Sequence, residues 1–377
     1  MTFDPVVYAL EAPPYHRVVF DARNAFSGWA FYYGDKVIRR VRVSRLGEEI
    51  GGGGVTLPRE DIARHVPRLT GARRCGFRFD LHVDAGVAPY DFEIVYADGS
   101  SEPFLSYDVP GALRNRERFA RMSAVLDAIP APDPDLVYAT QGHHRVSLYR
   151  DSSLSCAMGV MTYLGEAGLA VADGMRVLDF GCGTGRLLLG WRAWDPAARL
   201  FGCEVNSRLS AWAHRNLPDD LDLRRTGFHP PLPYPDGQFD VLCVISVFTH
   251  LSLASQRAWV SEFRRVLKPG GRVVITLHGE LYARHSCRDD TERFGAFQRD
   301  GYLERPHPVE GSNGFAAFHG EDFARRLFEG FAPRGYFPNG HVGGRRNPFP
   351  IAQAQDVYVF SSDRIGPAGE LSDSAAP

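Results

Sequence analysis

The sequence lacks several features that indicate particular classes of protein. Its six cysteines form no CxxC pair, which argues against a zinc site or a disulfide framework. Its apolar runs are too short to span a membrane, and VLCVISVF at 241–248 is among the longest. A net charge of −2 over 377 residues argues against a broad nucleic-acid or anionic-membrane surface. We expect buried free thiols in the cytoplasm, and no signal peptide, because the amino terminus has neither a basic start nor a long apolar core.

The first 110 residues show the period-two alternation of short β-strands. In GFRFDLHV, Phe77, Phe79 and Leu81 fall on one face, and YDFEIVYADGS repeats the pattern. HRVVFDAR and VIRRVRVSRLG add two more candidate strands. Short strands between Gly, Asp and Pro turns predict an antiparallel β-sandwich domain over 1–110. GGGG at 51–54 is predicted to be a flexible loop, because glycine loses much entropy in a strand.

The pattern changes near residue 111. ALRNRERFARMSAVLDAI has helical spacing and charge, and Pro130, Pro132 and Pro134 stop it, so 111–134 is predicted to be a helical linker. From 135 to 362, strands alternate with amphipathic helices, which is typical of a parallel α/β sheet. The composition of 363–377 predicts a disordered tail.

Individual elements of the α/β part follow from the same periodicity. An antiparallel edge pair is expected near 331–338 and 356–361, and LKPGG should end the last helix before the fifth strand. The strands are predicted at 176–180, 199–204, 222–226, 239–245 and 271–277, and the helices at about 185–194, 206–216 and 254–267.

VLDFGCGTGRLL, at 177–188, is a glycine turn between a buried strand and a helix, and such turns let backbone N–H groups approach a ligand closely. Its spacing is G-x-G-x-G, whereas a dinucleotide turn reads G-x-G-x-x-G. Asp179 precedes the first glycine by two residues, and a carboxylate there suits a cationic group and repels a pyrophosphate. A nicotinamide-dependent enzyme is therefore disfavoured. Glu204 ends the next strand, where an acidic residue accepts hydrogen bonds from a ribose diol.

Four segments together resemble the motifs of class I S-adenosylmethionine-dependent methyltransferases: VLDFGCGTG, GCEVN, FDVLCVISVFTHL and RVLKPGGRVVITLHG. SVFTHL, RVLKPGG and QDVYVF are similar to a bacterial branch often linked with glycan and cell-envelope pathways. The amino-terminal half resembles a β-sandwich module found fused to such methyltransferases and to glycosyltransferases. The resemblance implies a Rossmann-like class I methyltransferase sheet over 135–362, with an N-terminal antiparallel β-sandwich domain.

The resemblance also implies which residues hold S-adenosylmethionine, with no metal. Glu204 would bind the ribose, Phe228 would flank the adenine where many relatives have an aspartate, and Ser246 would line the site. The methionine part would contact Asp179 and the turn formed by Gly181, Cys182, Gly183, Thr184 and Gly185.

The acceptor side is marked by two histidines. His250 follows the fourth strand and His278 the fifth, and open α/β sheets bind ligands at the carboxyl ends of their strands. Either could take a proton from a hydroxyl near neutral pH, or could be a capping or packing residue. The segment ISVFTHL also lacks the Asn/Asp-Pro-Pro-Tyr/Phe of enzymes that methylate exocyclic amines.

The motifs quoted above favour an O-methyltransferase that acts on a sugar of an envelope glycan or on a small molecule, and the glycan part is implied by the resemblance alone. A glycosyltransferase or another envelope enzyme is a possible partner, and nucleic acid is not expected. The alternative is a non-catalytic scaffold, in which the α/β part senses S-adenosylmethionine and the β-sandwich binds carbohydrate or a partner enzyme.

Overall fold

The computed structural model describes residues 6–33, 36–65, 70–86, 88–169, 171–352 and 354–363. Of the tail predicted to be disordered, all but Asp363 lies outside the described residues. In the described part of the chain, no helix is both long enough and apolar enough to cross a membrane.

Two antiparallel sheets form the amino-terminal part, with strand orders β1-β2-β5 and β4-β3-β6-β7. They share one aromatic core, in which the Phe26 ring lies 5.7 Å from that of Phe79 and 5.3 Å from that of Phe92, between centroids. The predicted alternation in the segments around Phe79 and Phe92 is confirmed. The elements are β1 (Val6–Ala12), β2 (Ala22–Tyr32), β3 (Ile38–Arg45), β4 (Glu48–Gly54), α1 (Glu60–His65), β5 (Gly76–Val83), β6 (Tyr90–Tyr96) and β7 (Ser101–Tyr107).

The prediction that 51–54 is a flexible loop is wrong, because these glycines belong to strand β4, which pairs with β3. Side chains there would collide with neighbouring strands. A Cβ on Gly53 would lie 3.0 Å from the Arg78 carbonyl oxygen, and one on Gly52 would lie 2.1 Å from that of Val41. Gly52 also has a φ of +137°, which L side chains rarely adopt. The entropy lost by the glycines is thus offset by close packing against β5.

The segment after β7 forms two short helices where one was predicted, because the chain leaves helical geometry at Asn115, which has φ −98° and ψ 3°. The second helix ends before Pro130, as expected. It contributes buried Phe119, Met122 and Leu126 to the core of the carboxyl-terminal part. The helices here are α2 (Val109–Arg114), α3 (Arg116–Asp127), α4 (Pro134–Gln141) and α5 (Tyr149–Glu166).

The carboxyl-terminal part is built on one seven-stranded sheet of order β10-β9-β8-β11-β12-β18-β15. The first five strands are parallel, and the predicted edge pair, β15 and β18, is antiparallel as expected. The elements are β8 (Arg176–Phe180), α6 (Arg186–Trp194), β9 (Arg199–Glu204), α7 (Ser207–Asn216), β10 (Asp222–Arg225), β11 (Phe239–Val244), α8 (Leu253–Val266), β12 (Leu267–Leu277), α9 (Glu280–Ser286), α10 (Thr291–Asp300), β13 (Tyr302–Arg305), β14 (Ala316–His319), α11 (Glu321–Leu327), β15 (Ala332–Phe337), β16 (His341–Val342), β17 (Arg345–Arg346) and β18 (Asp356–Ser361).

The five parallel strands and three intervening helices predicted from periodicity are thus confirmed within a few residues. One boundary differs, since LKPGG does not end α8. That helix ends at Val266, and Leu267 already pairs with Phe239 of β11. The side chains of Leu267 and Phe239 are both buried. Because burial favours the pairing of Leu267 with β11, the strand begins before Pro269.

The strands alternate between two cores, one on each face of this sheet. Val177 and Val241 pack with α5 and α6 on one face, whereas Leu178 and Leu242 pack with α8 and α11 on the other. The order reverses between β8 and β11, which places the carboxyl ends of β8, β9, β11 and β12 around one crevice. In open α/β sheets such a crevice is where ligands bind.

We predict that Gly190→Ala destabilises the protein. Gly190 lies in α6 against α5, and a Cβ there would be 2.0 Å from the Ser153 carbonyl oxygen. Relief of this overlap should lower the free energy of unfolding by about 1–3 kcal/mol. Urea unfolding measures the effect.

The matched control is Gly165→Ala, because Gly165 is exposed near the end of α5 and, apart from the local backbone of α5, no atom of the described residues lies within 4 Å of the position that a Cβ would take there. It should leave stability unchanged or raise it by up to about 1 kcal/mol. Equal stability of the two variants would contradict the close packing of α5 on α6.

Candidate active site

The glycine turn after β8 lies at the centre of the crevice. Gly181, Gly183 and Gly185 have φ angles of +75°, +56° and +76°, so all three use the left-handed region that glycine tolerates. The N–H groups of Gly181 and Cys182 donate to the Cys203 carbonyl oxygen at 2.9 and 3.0 Å. The turn is therefore fixed to the end of β9 before α6 begins at Arg186.

Helix α4 and helix α5 lie against this turn. A Cβ on Gly183 would be 2.6 Å from Cγ2 of Thr140 in α4. The Tyr149 hydroxyl, in α5, donates to the carbonyl oxygen of Thr184 at 2.9 Å. Cys182 and Thr184 are buried as whole residues, so their predicted contacts with a cofactor stay predictions.

Glu204, at the end of β9, is buried and bonded to two backbone groups. Its Oε2 accepts from the Gly183 N–H at 2.8 Å, and its Oε1 accepts from the Asn206 N–H at 2.7 Å. Burial raises the pKa of Glu204, and these N–H bonds oppose the rise. Each carboxylate oxygen keeps a further lone-pair direction, which suits the ribose diol predicted for this position.

Asp179 is the second buried carboxyl group at this edge of the sheet, with 4% of its surface exposed. Burial raises its pKa to about 7, the Arg186 guanidinium opposes the rise, and the Glu204 carboxylate adds to it. Two acidic groups in a low-dielectric environment favour a cationic ligand, which stabilises both in their charged forms. This arrangement supports the ligand chemistry expected from the sequence.

Phe228 and Ser246 are the two remaining residues predicted to contact the cofactor. Phe228 follows β10, and its ring edge faces Gly311, where a Cβ would lie 2.8 Å from Cε2. Ser246 follows β11 with a φ of +58°, a left-handed conformation that is unusual for serine. Its N–H donates to the Thr276 hydroxyl oxygen at 2.8 Å. Their predicted roles toward the cofactor stay predictions.

The two candidate bases lie together, with 6.2 Å between the ring centroids of His250 and His278. His250 Nδ1 is 3.0 Å from the Phe315 carbonyl oxygen, which can only accept, so Nδ1 carries the proton and Nε2 has a free lone pair. Burial lowers the pKa of His250, which keeps the ring neutral at neutral pH. His250 therefore has the tautomer that a general base needs.

His278 is in a less favourable position for proton transfer. It is 9% exposed and stacks on Tyr282 at 4.2 Å. Burial lowers its pKa well below the usual range, and the neighbouring His250 and His319 lower it further. Its Nδ1 has no hydrogen-bond partner among the described residues. The packing explanation weighed for His278 therefore has more support than it has for His250.

Sequence reasoning did not single out Tyr149, Thr276, Phe315 or Gln355. Their contacts with Thr184, Ser246 and His250 join residues that are 30 to 109 positions apart in the sequence. Most of these residues meet only because helices and strands pack together. Gln355 has one local signal, since it directly precedes the predicted strand at 356–361.

The comparisons with known proteins find methyltransferases. The family described as "Methyltransferase domain" matches residues 178–275, which run from β8 into β12. An uncharacterized methyltransferase of Schizosaccharomyces pombe is 33% identical over 107 residues, covering 26% of this chain and 38% of that protein. A sterol 24-C-methyltransferase of Gibberella zeae is 31% identical over 173 residues, covering 42% of this chain and 44% of that protein.

The chain thus spans about two fifths of the length of these relatives. Among solved structures, an S-adenosylmethionine-dependent methyltransferase from Methanosarcina mazei aligns with 54% of this chain and 97% of its own, at 17% identity and a TM-score of 0.40. The predicted Rossmann-like sheet and methyl donor are confirmed: residues 178–275 match the methyltransferase domain, and S-adenosylmethionine is the methyl donor of that domain.

Proposed function

We propose that this chain transfers a methyl group from S-adenosylmethionine to a hydroxyl of a sugar, an envelope glycan or another small molecule. One observation carries the proposal: a glycine turn with two buried carboxyl groups, Asp179 and Glu204, shares a crevice with a histidine whose Nε2 is free to accept a proton. The glycine turn with its two carboxyl groups suits a cationic nucleoside, and the histidine suits a hydroxyl acceptor.

The residues at the turn fit the methyl donor. Glu204 would hold the ribose, Asp179 would face the cationic methionine end, and the turn Gly181–Gly185, which has no bulky side chain at its three glycines, would let the methionine part approach closely. Phe228 would flank the adenine and Ser246 would line the site. When bound, S-adenosylmethionine supplies a methyl group activated by its sulfonium.

His250 would act on the acceptor. Its Nε2 would take the proton from the attacking hydroxyl, while the Phe315 carbonyl oxygen keeps Nδ1 protonated and the ring oriented. Orientation of the acceptor supplies most of the rate in such a transfer, up to about 7–11 kcal/mol. His278 remains a second candidate base. Its stacking on Tyr282 supports a packing role, in which Tyr282 holds the His278 ring beside His250.

A carbon acceptor is the second candidate, because one relative is named a sterol 24-C-methyltransferase. The two products differ chemically. A methyl group enriched in carbon-13 gives a methoxyl signal in an O-methylated product and a C-methyl signal in the other, and the two are separated in a carbon NMR spectrum.

The amino-terminal part is proposed to be a β-sandwich module over 1–110, joined through 111–134 to the domain over 135–362. The shared core of its two sheets supports this division. A glycosyltransferase or other envelope enzyme as partner rests on the resemblance alone. The cytoplasm is the proposed compartment, which the free, buried cysteines support. The scaffold alternative is not favoured, since the donor residues form one crevice with His250.

Two measurements test the proposal in sequence. Calorimetric titration with S-adenosylhomocysteine should give micromolar binding. Radiolabelled S-adenosylmethionine is then incubated with a panel of methyl glycosides, lipid-linked glycan extracts, quinols and sterols. Label in a glycoside or glycan supports a sugar hydroxyl as the acceptor. Label in a sterol or quinol supports an acceptor of another kind, either a carbon atom or an oxygen that does not belong to a sugar. Tight binding without transfer to any extract would favour the scaffold.

Glu204→Ala should weaken S-adenosylhomocysteine binding by about 10- to 100-fold. The substitution removes the acceptor of the Gly183 and Asn206 N–H groups together with the proposed ribose contact, and a charged hydrogen bond contributes about 1.5–3 kcal/mol. Calorimetry measures the affinity. Asp219→Ala, which removes an exposed carboxylate beyond α7, is the control and should bind as the wild type does. Unchanged affinity in Glu204→Ala would refute the ribose assignment.

Binding of S-adenosylhomocysteine should strengthen as pH rises through about 7. In the free protein Asp179 is half protonated near that pH, and a cationic ammonium lowers its pKa, so binding releases a proton. Affinity should therefore fall by up to about tenfold per pH unit below 7. Titration in buffers of different ionisation enthalpy detects the proton. Asp179→Asn should abolish this dependence, and a wild-type affinity independent of pH between about 5 and 8 would contradict the assignment.

His250→Asn should lower kcat by about 10²- to 10⁴-fold on the labelled acceptor. The asparagine amide can still donate to the Phe315 carbonyl oxygen, but it has no counterpart of the basic Nε2. Affinity for S-adenosylhomocysteine should not change. His82→Asn, on an exposed face of β5, is the matched control. Full turnover by His250→Asn would exclude His250 as the base.

A further inference from the structure

A closed ring of hydrogen bonds joins the ends of β11, β12 and β18 beside the proposed acceptor site. The Ser246 N–H donates to Oγ1 of Thr276 at 2.8 Å, and the Thr276 hydroxyl donates to Oε1 of Gln355 at 2.6 Å. Nε2 of Gln355 then donates to Oγ of Ser246 at 2.8 Å. Thr276 is fully buried and Gln355 is 6% exposed, so water does not compete strongly for these bonds.

The direction of each bond in the ring is fixed. A backbone N–H can only donate, so Thr276 Oγ1 accepts from Ser246 and has its own proton to give. That proton goes to Gln355 Oε1, which leaves the amide N–H of Gln355 to donate to Ser246. If the Gln355 amide were turned by 180°, its Nε2 would face Thr276, and the Thr276 hydroxyl proton would lose Oε1 as its acceptor at 2.6 Å. Ser246 Oγ is therefore an acceptor within the ring, and its own proton must point elsewhere.

The Ser246 proton has no strong acceptor among the described residues. The nearest oxygen described for it is Oγ1 of Thr249 at 3.5 Å, which is longer than a good O–H···O bond. Ser246 is partly exposed, unlike the other two members of the ring. Its left-handed φ of +58° costs energy in a serine, and the ring holds the residue in that conformation. Strain of this kind, kept by a buried network, is typical of functional sites.

The position of the ring indicates that it serves the acceptor. Thr276 belongs to β12, Gln355 directly precedes β18 and Ser246 follows β11, whereas the carboxyl groups and the glycine turn proposed to hold the donor belong to β8, β9 and the turn after β8. Val247, the next residue, packs against the donor turn, where a Cβ on Gly181 would lie 2.6 Å from its Cγ2. His250 follows four residues after Ser246. Ser246 thus belongs to the short segment that contacts the donor turn through Val247 and carries the proposed base.

We propose that Gln355 is a positioning residue for methyl transfer, which orients the Ser246 hydroxyl as a hydrogen-bond donor to an oxygen of the acceptor. This inference rests on the proposed function and deepens it. It requires an acceptor with an oxygen lone pair within reach of Ser246, in addition to the atom that receives the methyl group. Sugars and quinols carry such neighbouring oxygens, whereas a sterol double bond does not.

Gln355→Glu tests the direction of the bonds without changing the size of the side chain. A carboxylate can accept from Thr276 but cannot donate to Ser246, so the serine must turn its proton toward the introduced carboxylate. At about pH 8, kcat/KM for the acceptor labelled in the panel should fall by about 10- to 100-fold, with the Kd for S-adenosylhomocysteine within about twofold of wild type. Gln298→Glu, exposed on α10, is the control.

The pH dependence of kcat/KM in Gln355→Glu distinguishes a positioning role of Gln355 from a merely structural one. Burial raises the pKa of a carboxyl group, and the carboxyl group introduced by Gln355→Glu could donate to Ser246 again once it is protonated. The ratio of variant to wild-type kcat/KM should therefore rise as pH falls toward about 6, at saturating donor. Expressing the result as this ratio removes the titrations shared by both proteins, including those of Asp179, His250, His278 and the adjacent Asp356.

Ser246→Gly keeps the inference testable if Gln355→Glu folds poorly, because glycine adopts a φ of +58° without strain. It should lower kcat/KM by about tenfold, and adding Gln355→Glu to it should cause little further loss. Three results would overturn this inference but leave the proposed function intact. They are wild-type rates in either single variant, a loss of S-adenosylhomocysteine affinity as large as the loss of kcat/KM, and a ratio of variant to wild-type kcat/KM that does not respond to pH. No transfer by the wild-type protein to any member of the panel would overturn the proposed function and this inference with it.

Discussion

The Glu204 carboxylate holds the turn after β8 to the end of β9, and the geometry of the site depends on this contact. A buried carboxylate is stable only when its lone pairs are bonded, and two backbone N–H groups supply those bonds. One of them belongs to Gly183, whose φ of +56° aims its N–H at Glu204. The sharp turn and the buried acid therefore require each other, and together they set the start of α6.

Charge adds a second constraint to the same place. Asp179 and Glu204 lie at the ends of neighbouring strands, and the Glu204 carboxylate adds to the effect of burial in raising the pKa of Asp179. Arg186 offsets only part of this rise, so the free protein keeps Asp179 partly protonated near neutral pH. A cationic ligand would complete the balance. The glycine spacing and the electrostatics thus select the same class of ligand by independent physical routes.

The sequence predicted what depends on local pattern and missed what depends on distant packing. The parallel strands, the turn at Gly181–Gly185 and the positions of Asp179 and Glu204 follow from periodicity and from short segments. Strand β4 was missed because its glycines are explained by β5, more than twenty residues later. The ring around Ser246 was missed because Thr276 and Gln355 are 30 and 109 residues away from it.

The proposed donor contacts and the residues that hydrogen-bond to His250 and Ser246 differ in where they lie along the chain. Asp179, the glycine turn and Glu204 fall within the matched segment 178–275. Phe315, which orients His250, and Gln355, which orients Ser246, fall beyond it.

The amino-terminal part packs close to His278. Leu281, at the start of α9, is buried with Trp29 and Phe31 of β2. The next residue, Tyr282, stacks on His278. A likeness limited to 178–275 can therefore identify the methyl donor without specifying the acceptor, because the residues that hold His250 and pack on His278 lie partly outside that segment and are themselves packed against a sheet from the other end of the chain.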